Sequence, residues 1–364
     1  MGTQPNPPIT IFTPSFADES NTNAQNLTVK EIVARLPPQL FRVIMISGGS
    51  PDDRIVHRPN TELVSWTNHG NTAKLINKIV MSRPDIYFFP RYGPLDALFY
   101  KVRQYLRLRT ALVSYVVMTM TDAVASELAT QSIRQADRVC TNSRYVAKTV
   151  SRQFGLDSEV VYDGVDQRFF FTAEPRDVSL PPVVLYAGSF QPRKRVELVI
   201  QQAIRWPNIR FRLAGSGETQ QSCRRLTERH GCKNVTFLGH LTPHELAEEM
   251  RNAGIFLFPS VIEGHPQVLL QAAACGLPAI AMSCYQPEYV VNGETGFLVE
   301  SDAELEERLE LLIANAELRR LMSESAVRHS QKFDWTQIAR QWGKIFLEVA
   351  GVRLRIPSTP PVIA

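Results

Sequence analysis

Phe258-Pro259-Ser260-Val261-Ile262-Glu263-Gly264-His265-Pro266-Gln267-Val268-Leu269-Leu270-Gln271-Ala272 reads as the end of a buried strand, a polar loop and the start of a helix. The apolar run up to Phe258 suits a strand covered on both faces. Pro266 suits a first helical position, where its missing N–H costs nothing. The N–H groups of Gln267 and Val268 then form the partly positive end of that helix, which suits a diphosphate. Gly264 lets the backbone approach a ligand closely. Glu263 before it stands at the mouth of that pocket. An ordinary strand–loop–helix joint with a solvated glutamate reads from the same residues.

The same unit recurs along the chain. Short apolar runs at Ile9–Phe12, Phe41–Ile46, Leu63–Trp66, Ile86–Phe89, Ala111–Val117, Arg138–Thr141 and Val160–Tyr162 alternate with helix-length segments, notably Leu27–Leu36, Asn71–Met81, Leu95–Arg107 and Ser143–Phe154. Residues Thr172–Pro182 lack periodicity and carry Pro175, Pro181 and Pro182, so they read as a linker. Alternation restarts at Val183–Ala187 and runs through Arg210–Ala214, Val235–Leu238, Ile255–Phe258, Ala279–Met282 and Phe297–Val299. Thr242 with Glu245, and Ser301 with Glu304, have capping-box spacing and predict helices from Pro243 and Asp302. The pattern predicts two α/β domains, each a Rossmann-like doubly wound parallel sheet, facing a cleft, with ligands beyond the carboxyl ends of the strands. The expected division is residues 1–171, linker 172–182, residues 183–332, a helix over 333–350 and a tail over 351–364.

Composition narrows the class. The chain has 364 residues, 44% of them hydrophobic, which suits two cores. The net charge of +4 falls on residues 1–170, too weak an excess to argue for nucleic acid. Five cysteines without a C-x-x-C pair favour a reducing compartment over a disulfide framework. The polar, Pro-rich start does not read as a signal peptide, and no apolar run reaches membrane-span length, so a cytoplasmic protein is expected. His57, His69, His240, His244 and His265 show no metal-ligand spacing, so no metal is expected.

Two further segments end at the same sheet edge. In Leu185-Tyr186-Ala187-Gly188-Ser189-Phe190-Gln191-Pro192-Arg193-Lys194-Arg195, three cations follow a strand that ends at Gly188. A cation there neutralises a leaving diphosphate as its bond to a sugar breaks; a solvated basic loop before a helix is the simpler alternative. Leu213-Ala214-Gly215-Ser216-Gly217-Glu218 is a glycine-rich strand exit. Gln220 occupies the third glycine position of a dinucleotide fingerprint and Val235–Gly239 carries no acid, which disfavours a nicotinamide cofactor.

Taken in order, these segments resemble the donor domain of the retaining glycosyltransferase family 4 (glycosyl transferases group 1), which has the GT-B fold. The resemblance rests on Gly188…Lys194, Leu213–Gly217, Phe237-Leu238-Gly239, Phe258-Pro259-Ser260 with Glu263-Gly264, Gly276–Ala281, and Pro287-Glu288…Asn292–Val299. Upstream, Gln135–Arg138, Asn142-Ser143 and Asp163–Asp166 join it, whereas residues 1–130 match poorly. The resemblance implies transfer of a sugar, with retention, from a nucleoside diphosphate to an acceptor hydroxyl on a small molecule, glycan or lipid-linked glycan, without metal or cofactor. It makes Lys194 and Glu263 the catalytic pair and puts Gly188, Ser189, Arg193, Gly215, Leu238, Gly264, His265, Gln267, Val268 and Gln271 around the donor. It also implies that the helix near Trp335–Val349 crosses back onto the first domain.

The departures from that family are specific. Its second glutamate is Gln271 here, and its arginine after Gly188 is Ser189, with Arg193 or Arg195 left to supply the charge. The usual Gly-Gly loop after strand one is Thr13–Asn23, where Ser15, Phe16, Asn21 and Asn23 form either an acceptor-side contact or an ordinary Asn-rich loop. Met118–Asp122 lacks the histidine many relatives have there. Phe99–Arg109 is basic and aromatic; relatives touch membranes through such a helix, while a solvated helix packed by its apolar stripe fits as well. Two other functions stay open: a sugar-nucleotide epimerase of the same fold, and a catalytically silent binding or activator protein.

Overall fold

Alternating side chains build the first half. In the computed structural model, which describes residues 7–19, 23–66, 72–90, 93–118, 127–172 and 181–354, one face of each central strand supplies one core and the other face a second. Ile11, Val43, Met45, Phe88 and Val113 join one cluster. Their neighbours Phe12, Ile44, Ile46, Tyr87 and Leu112 join the other. That is the period-two consequence of a sheet covered on both sides.

The first-half elements are β1 (Ile9–Phe16), α1 (Ala24–Arg35), β2 (Phe41–Ser47), α2 (Asp53–Val56), β3 (Thr61–Ser65), α3 (Thr72–Ser82), β4 (Ile86–Phe88), α4 (Pro94–Tyr105), β5 (Ala111–Val116), α5 (Glu127–Arg134), β6 (Arg138–Thr141), α6 (Arg144–Phe154) and β7 (Glu159–Val160). The sheet order is β3-β2-β1-β4-β5-β6-β7, and every pairing is parallel. Each expected strand has a counterpart, but the last is β7 at Glu159–Val160 and shares only Val160 with the expected Val160–Tyr162. Strand β4 stops one residue early because Phe89 turns to φ 57°. Helices α2 and α5 were not anticipated.

The second half contains β8 (Val184–Ala187), α7 (Val196–Arg205), β9 (Phe211–Ala214), α8 (Gln220–Arg229), β10 (Val235–Gly239), α9 (Pro243–Asn252), β11 (Ile255–Phe258), α10 (Gln267–Ala274), β12 (Ala279–Met282), β13 (Gly296–Val299), α11 (Asp302–Ala314) and α12 (Ala316–Ser330). Its parallel sheet runs β10-β9-β8-β11-β12-β13, the Rossmann order in local numbering. Thr242 accepts from the Glu245 N–H and Glu245 returns to Thr242, starting α9 at Pro243. Ser301 caps α11 at Glu304, although Glu304 reaches Glu300 N rather than the cap itself.

The chain divides into a first unit, Met1–Asp163 with Trp335–Ala364, and a second, Gly164–Asp334. The crossing falls at Asp163, before the Thr172–Pro182 segment, of which 173–180 lie outside the described residues. Residues 165–172 already pack within the second unit: Val165 N donates to Phe333 O, Arg251 to Phe169 O, and Thr172 to Ala274 O. Helix α13 (Trp335–Leu354) belongs to the first unit. Its Trp342 is fully buried, 4.8 Å from the Phe88 ring and 4.9 Å from that of Tyr115. Among the described residues, no helix is long and apolar enough to cross a membrane.

Candidate functional site

Strands β8 and β11 are parallel neighbours, with Ile255 paired to Val184 and Phe256 to Leu185. That register carries the loops after both strands to one carboxyl edge of the second unit. Val261 N donates to Arg193 O at 3.0 Å, fastening the loops together.

Three donors converge on one carboxylate oxygen there. Glu263 Oε1 accepts from Lys194 Nζ, from Arg193 Nη1 at 2.9 Å and from Ser260 Oγ at 2.6 Å. Arg193 Nη1 also donates to Ile262 O at 2.7 Å. Glu263 and Lys194 are both buried. Burial lowers the Lys194 pKa from the ordinary lysine value, against the opposing pull of Glu263. The ammonium lies 4.9 Å from the Phe258 ring centre. Two cations share one carboxylate, so the cluster keeps a net positive charge. A buried pair of this kind adds little to stability. Arg195, the third cation of the run, points elsewhere and pairs with Asp302, so Arg193 supplies the second charge.

The glycines around this cluster have a packing reason. A Cβ on Gly215 (φ 120°) would meet Gly188 O at 2.0 Å, and one on Gly188 would meet the Tyr186 hydroxyl at 2.9 Å. The loops after β8 and β9 therefore touch backbone to backbone. Ser189 is exposed and its carbonyl accepts from Tyr186 OH at 3.0 Å. Leu238 is half-buried on the edge strand β10, beside Gly239, whose carbonyl accepts from Gly215 N.

Gly264 and His265 are buried. The His265 ring stacks on Tyr289 at 3.5 Å, and its Nε2 accepts from the Glu288 N–H at 3.2 Å, which places its proton on Nδ1. Pro266 is the N-cap rather than the first helical residue: helix α10 starts at Gln267, because Pro266 holds ψ at 113° and offers no side-chain cap. Gln267, Val268 and Gln271 are half-buried and share a face, whereas Leu269, Leu270 and Ala272 are buried on the other.

Of the first-unit candidates, Phe16 and Asn23 have local partners, whereas the Ser15 hydroxyl has none among the described residues. Strand β1 continues through Phe16 across a register irregularity, so Ser15 and Phe16 lie in the strand rather than in a loop. Ser15 is fully buried, and Phe16 stacks on Trp66 with its N–H bound to Asn26 Oδ1. Asn23 caps α1, accepting from Asn26 N at 2.9 Å. Asn21 lies outside the described residues, as do 119–122 of the 118–122 stretch. In the basic, aromatic segment, Phe99 and Tyr100 face the core while Tyr105 and Leu106 are exposed.

The sequence reading missed Asp18, which is buried and accepts from Gly48 N at 2.9 Å, Gly49 N at 2.8 Å and Ser47 Oγ at 2.8 Å. Burial alone would raise its pKa; the Gly48 N–H, the Ser47 hydroxyl and the Gly49 N–H bring it below the ordinary aspartate value. Ser260 was quoted but given no role; its signal is its place three residues before Glu263.

Residues 170–329 match the family described as glycosyl transferases group 1. That match spans most of the second unit, Gly164–Asp334. An uncharacterized glycosyltransferase of Methanocaldococcus jannaschii is 26% identical over 218 residues, covering 59% of this chain and 60% of that protein. The D-inositol 3-phosphate glycosyltransferase of Mycobacterium bovis is 32% identical over 227 residues, 56% of this chain and 47% of that one. The chain thus spans about half to three fifths of the length of these curated relatives. Among solved structures, sucrose-phosphate synthase from Thermosynechococcus elongatus aligns with a TM-score of 0.77 at 19% identity, over 94% of this chain and 100% of that one. Anabaena HepE, solved with UDP and glucose, aligns at 0.76 and 18%, over 93% and 100%. The fold is GT-B, and the group 1 segment contains every donor-side candidate.

Proposed function

We propose that the chain is a retaining glycosyltransferase that moves a sugar from a nucleoside diphosphate to an acceptor hydroxyl on a small molecule, glycan or lipid-linked glycan. The observation that carries this reading is the convergence of Lys194 and Arg193 on Glu263, beside the start of α10 and within the group 1 segment. As the bond from the anomeric carbon to the diphosphate lengthens, negative charge grows on the leaving oxygen. Lys194 and Arg193 meet that charge by relaxing part of their hold on Glu263, in a setting poor in water. The N–H groups at Gln267 and Val268 add a partial positive charge. Glu263 accepts from a sugar hydroxyl, and Gln271 binds the ribose hydroxyls through its amide. No metal or cofactor has a role in this scheme.

HepE was solved with UDP and with UDP-glucose, so UDP-sugars come first in a panel of nucleotide sugars. Incubation without acceptor, followed by NMR of the anomeric signals, tests the reading. A transferase frees nucleotide slowly, and the first sugar product keeps the donor's anomeric configuration. A changed sugar still joined to nucleotide would make the chain an epimerase. No turnover with any donor, with or without candidate acceptors, would leave the silent binding protein.

A further inference from the structure

Tyr285 is the last residue of the 3₁₀ turn Ser283–Tyr285, which follows β12 directly. Strand β12 is parallel to β11, with Ala281 paired to Phe258, so the turn emerges beside the loop that carries Glu263. The two touch: Cys284 Sγ donates to Val261 O at 3.3 Å. Tyr285 is only 1% exposed, and among the described residues nothing bonds its hydroxyl.

Other buried tyrosines of the chain set the contrast. Tyr87 donates to Asp96 at 2.6 Å, Tyr100 to Ser132 at 2.7 Å, Tyr115 to Val161 O at 2.7 Å and Tyr186 to Ser189 O at 3.0 Å. A buried hydroxyl without a partner is costly, and phenylalanine would fill the same space without that cost. Burial first, and then the field of Glu263, hold the Tyr285 phenol well above the usual tyrosine pKa. It is therefore a neutral donor on the turn that packs against the loop carrying Glu263.

We infer that the Tyr285 hydroxyl is a sugar-recognition group, donating a hydrogen bond to the same donor-sugar hydroxyl that Glu263 accepts from. A sugar hydroxyl has one hydrogen and two lone pairs, so it can give to the carboxylate and take from the phenol at once. A phosphate oxygen has no hydrogen to give, and its charge is repelled by Glu263. The assignment makes Tyr285 a specificity residue for the sugar and not for the diphosphate, and it rests on the donor-site reading above.

Calorimetry on the full chain, wild type and Tyr285→Phe, tests it with UDP-glucose, or the panel sugar the wild type prefers, and with the matching nucleoside diphosphate. The variant should bind the diphosphate like the wild type and the nucleotide sugar roughly 3- to 10-fold more weakly, with an unliganded melting temperature no lower. A deoxy-sugar donor lacking the bridging hydroxyl should bind both proteins alike. Unchanged sugar-nucleotide affinity, an equal loss for the diphosphate, or a lower melting temperature would overturn the role of Tyr285 while leaving the donor site standing. A wild-type chain that binds no nucleotide sugar would overturn both.

Discussion

Glu263 and Asp18 are buried carboxylates just beyond a strand end, one in each unit, and they are compensated in opposite ways. Glu263 is held by side chains that carry full charges, Lys194 and Arg193, with Ser260 beside them. Asp18 is held by two backbone N–H groups and a serine hydroxyl. Charged side chains can swing from one anion to another; the Gly48 and Gly49 N–H groups, in the bend after β2, have no such reach. The contrast separates a carboxylate in a site able to accept an anionic ligand from one that fastens two loops.

The largest expected effect lies on the Glu263 side. Lys194→Ala should lower turnover by about 10²–10³-fold, the scale for losing one preorganised electrostatic group, with little change in melting temperature because Arg193 and Ser260 remain on the carboxylate. Steady-state kinetics beside a thermal melt measures both, and unchanged turnover in a folded variant would erase the distinction between the two carboxylates. Asp18→Ala should do the reverse, costing about 1–3 kcal/mol of first-unit stability by removing three hydrogen bonds to a buried carboxylate, read from urea unfolding, while nucleotide affinity in the second unit is kept.

The pH dependence is smaller and its sign follows from the lowered Asp18 pKa. Its contribution is fully present above the unfolded aspartate value near 3.8 and is lost as pH falls through the lower folded value. Asp18→Asn should flatten that part of the acid-unfolding curve; an unaltered curve would mean the carboxylate is not the group titrating. Smallest is Gln271→Glu, for which calorimetry should show neutral or few-fold tighter nucleotide binding. A large loss would mean that the glutamine amide makes a bond a carboxylate cannot.

Local chemistry was legible in the sequence. The caps at Thr242 and Ser301 lie within three residues of their partners, so spacing alone placed α9 and α11. The strands were legible because sheets covered on both faces demand continuous apolar runs. Lys194 and Glu263 lie 69 residues apart, and only the β8–β11 register brings them together; the family resemblance stood in for that geometry. Asp18 was hidden because its donors Gly48 and Gly49 come from a different loop, about thirty residues on. Tyr285 was hidden because a tyrosine just past an apolar strand looks like core until its hydroxyl is seen without a partner.

Helix α13 gives the chain an unusual order of events during its own synthesis. The second unit is one continuous stretch, Gly164–Asp334, and can close as soon as it clears the ribosome. The first unit cannot: the Trp342 and Phe346 side chains that fill its core beside Phe88 are made after all of the second. At ribosomal rates the 163-residue portion made first waits roughly 10–30 seconds for them, with the apolar face of β4 and β5 uncovered. The unit begun before the second is therefore completed after it, and chaperones should find their binding surface there.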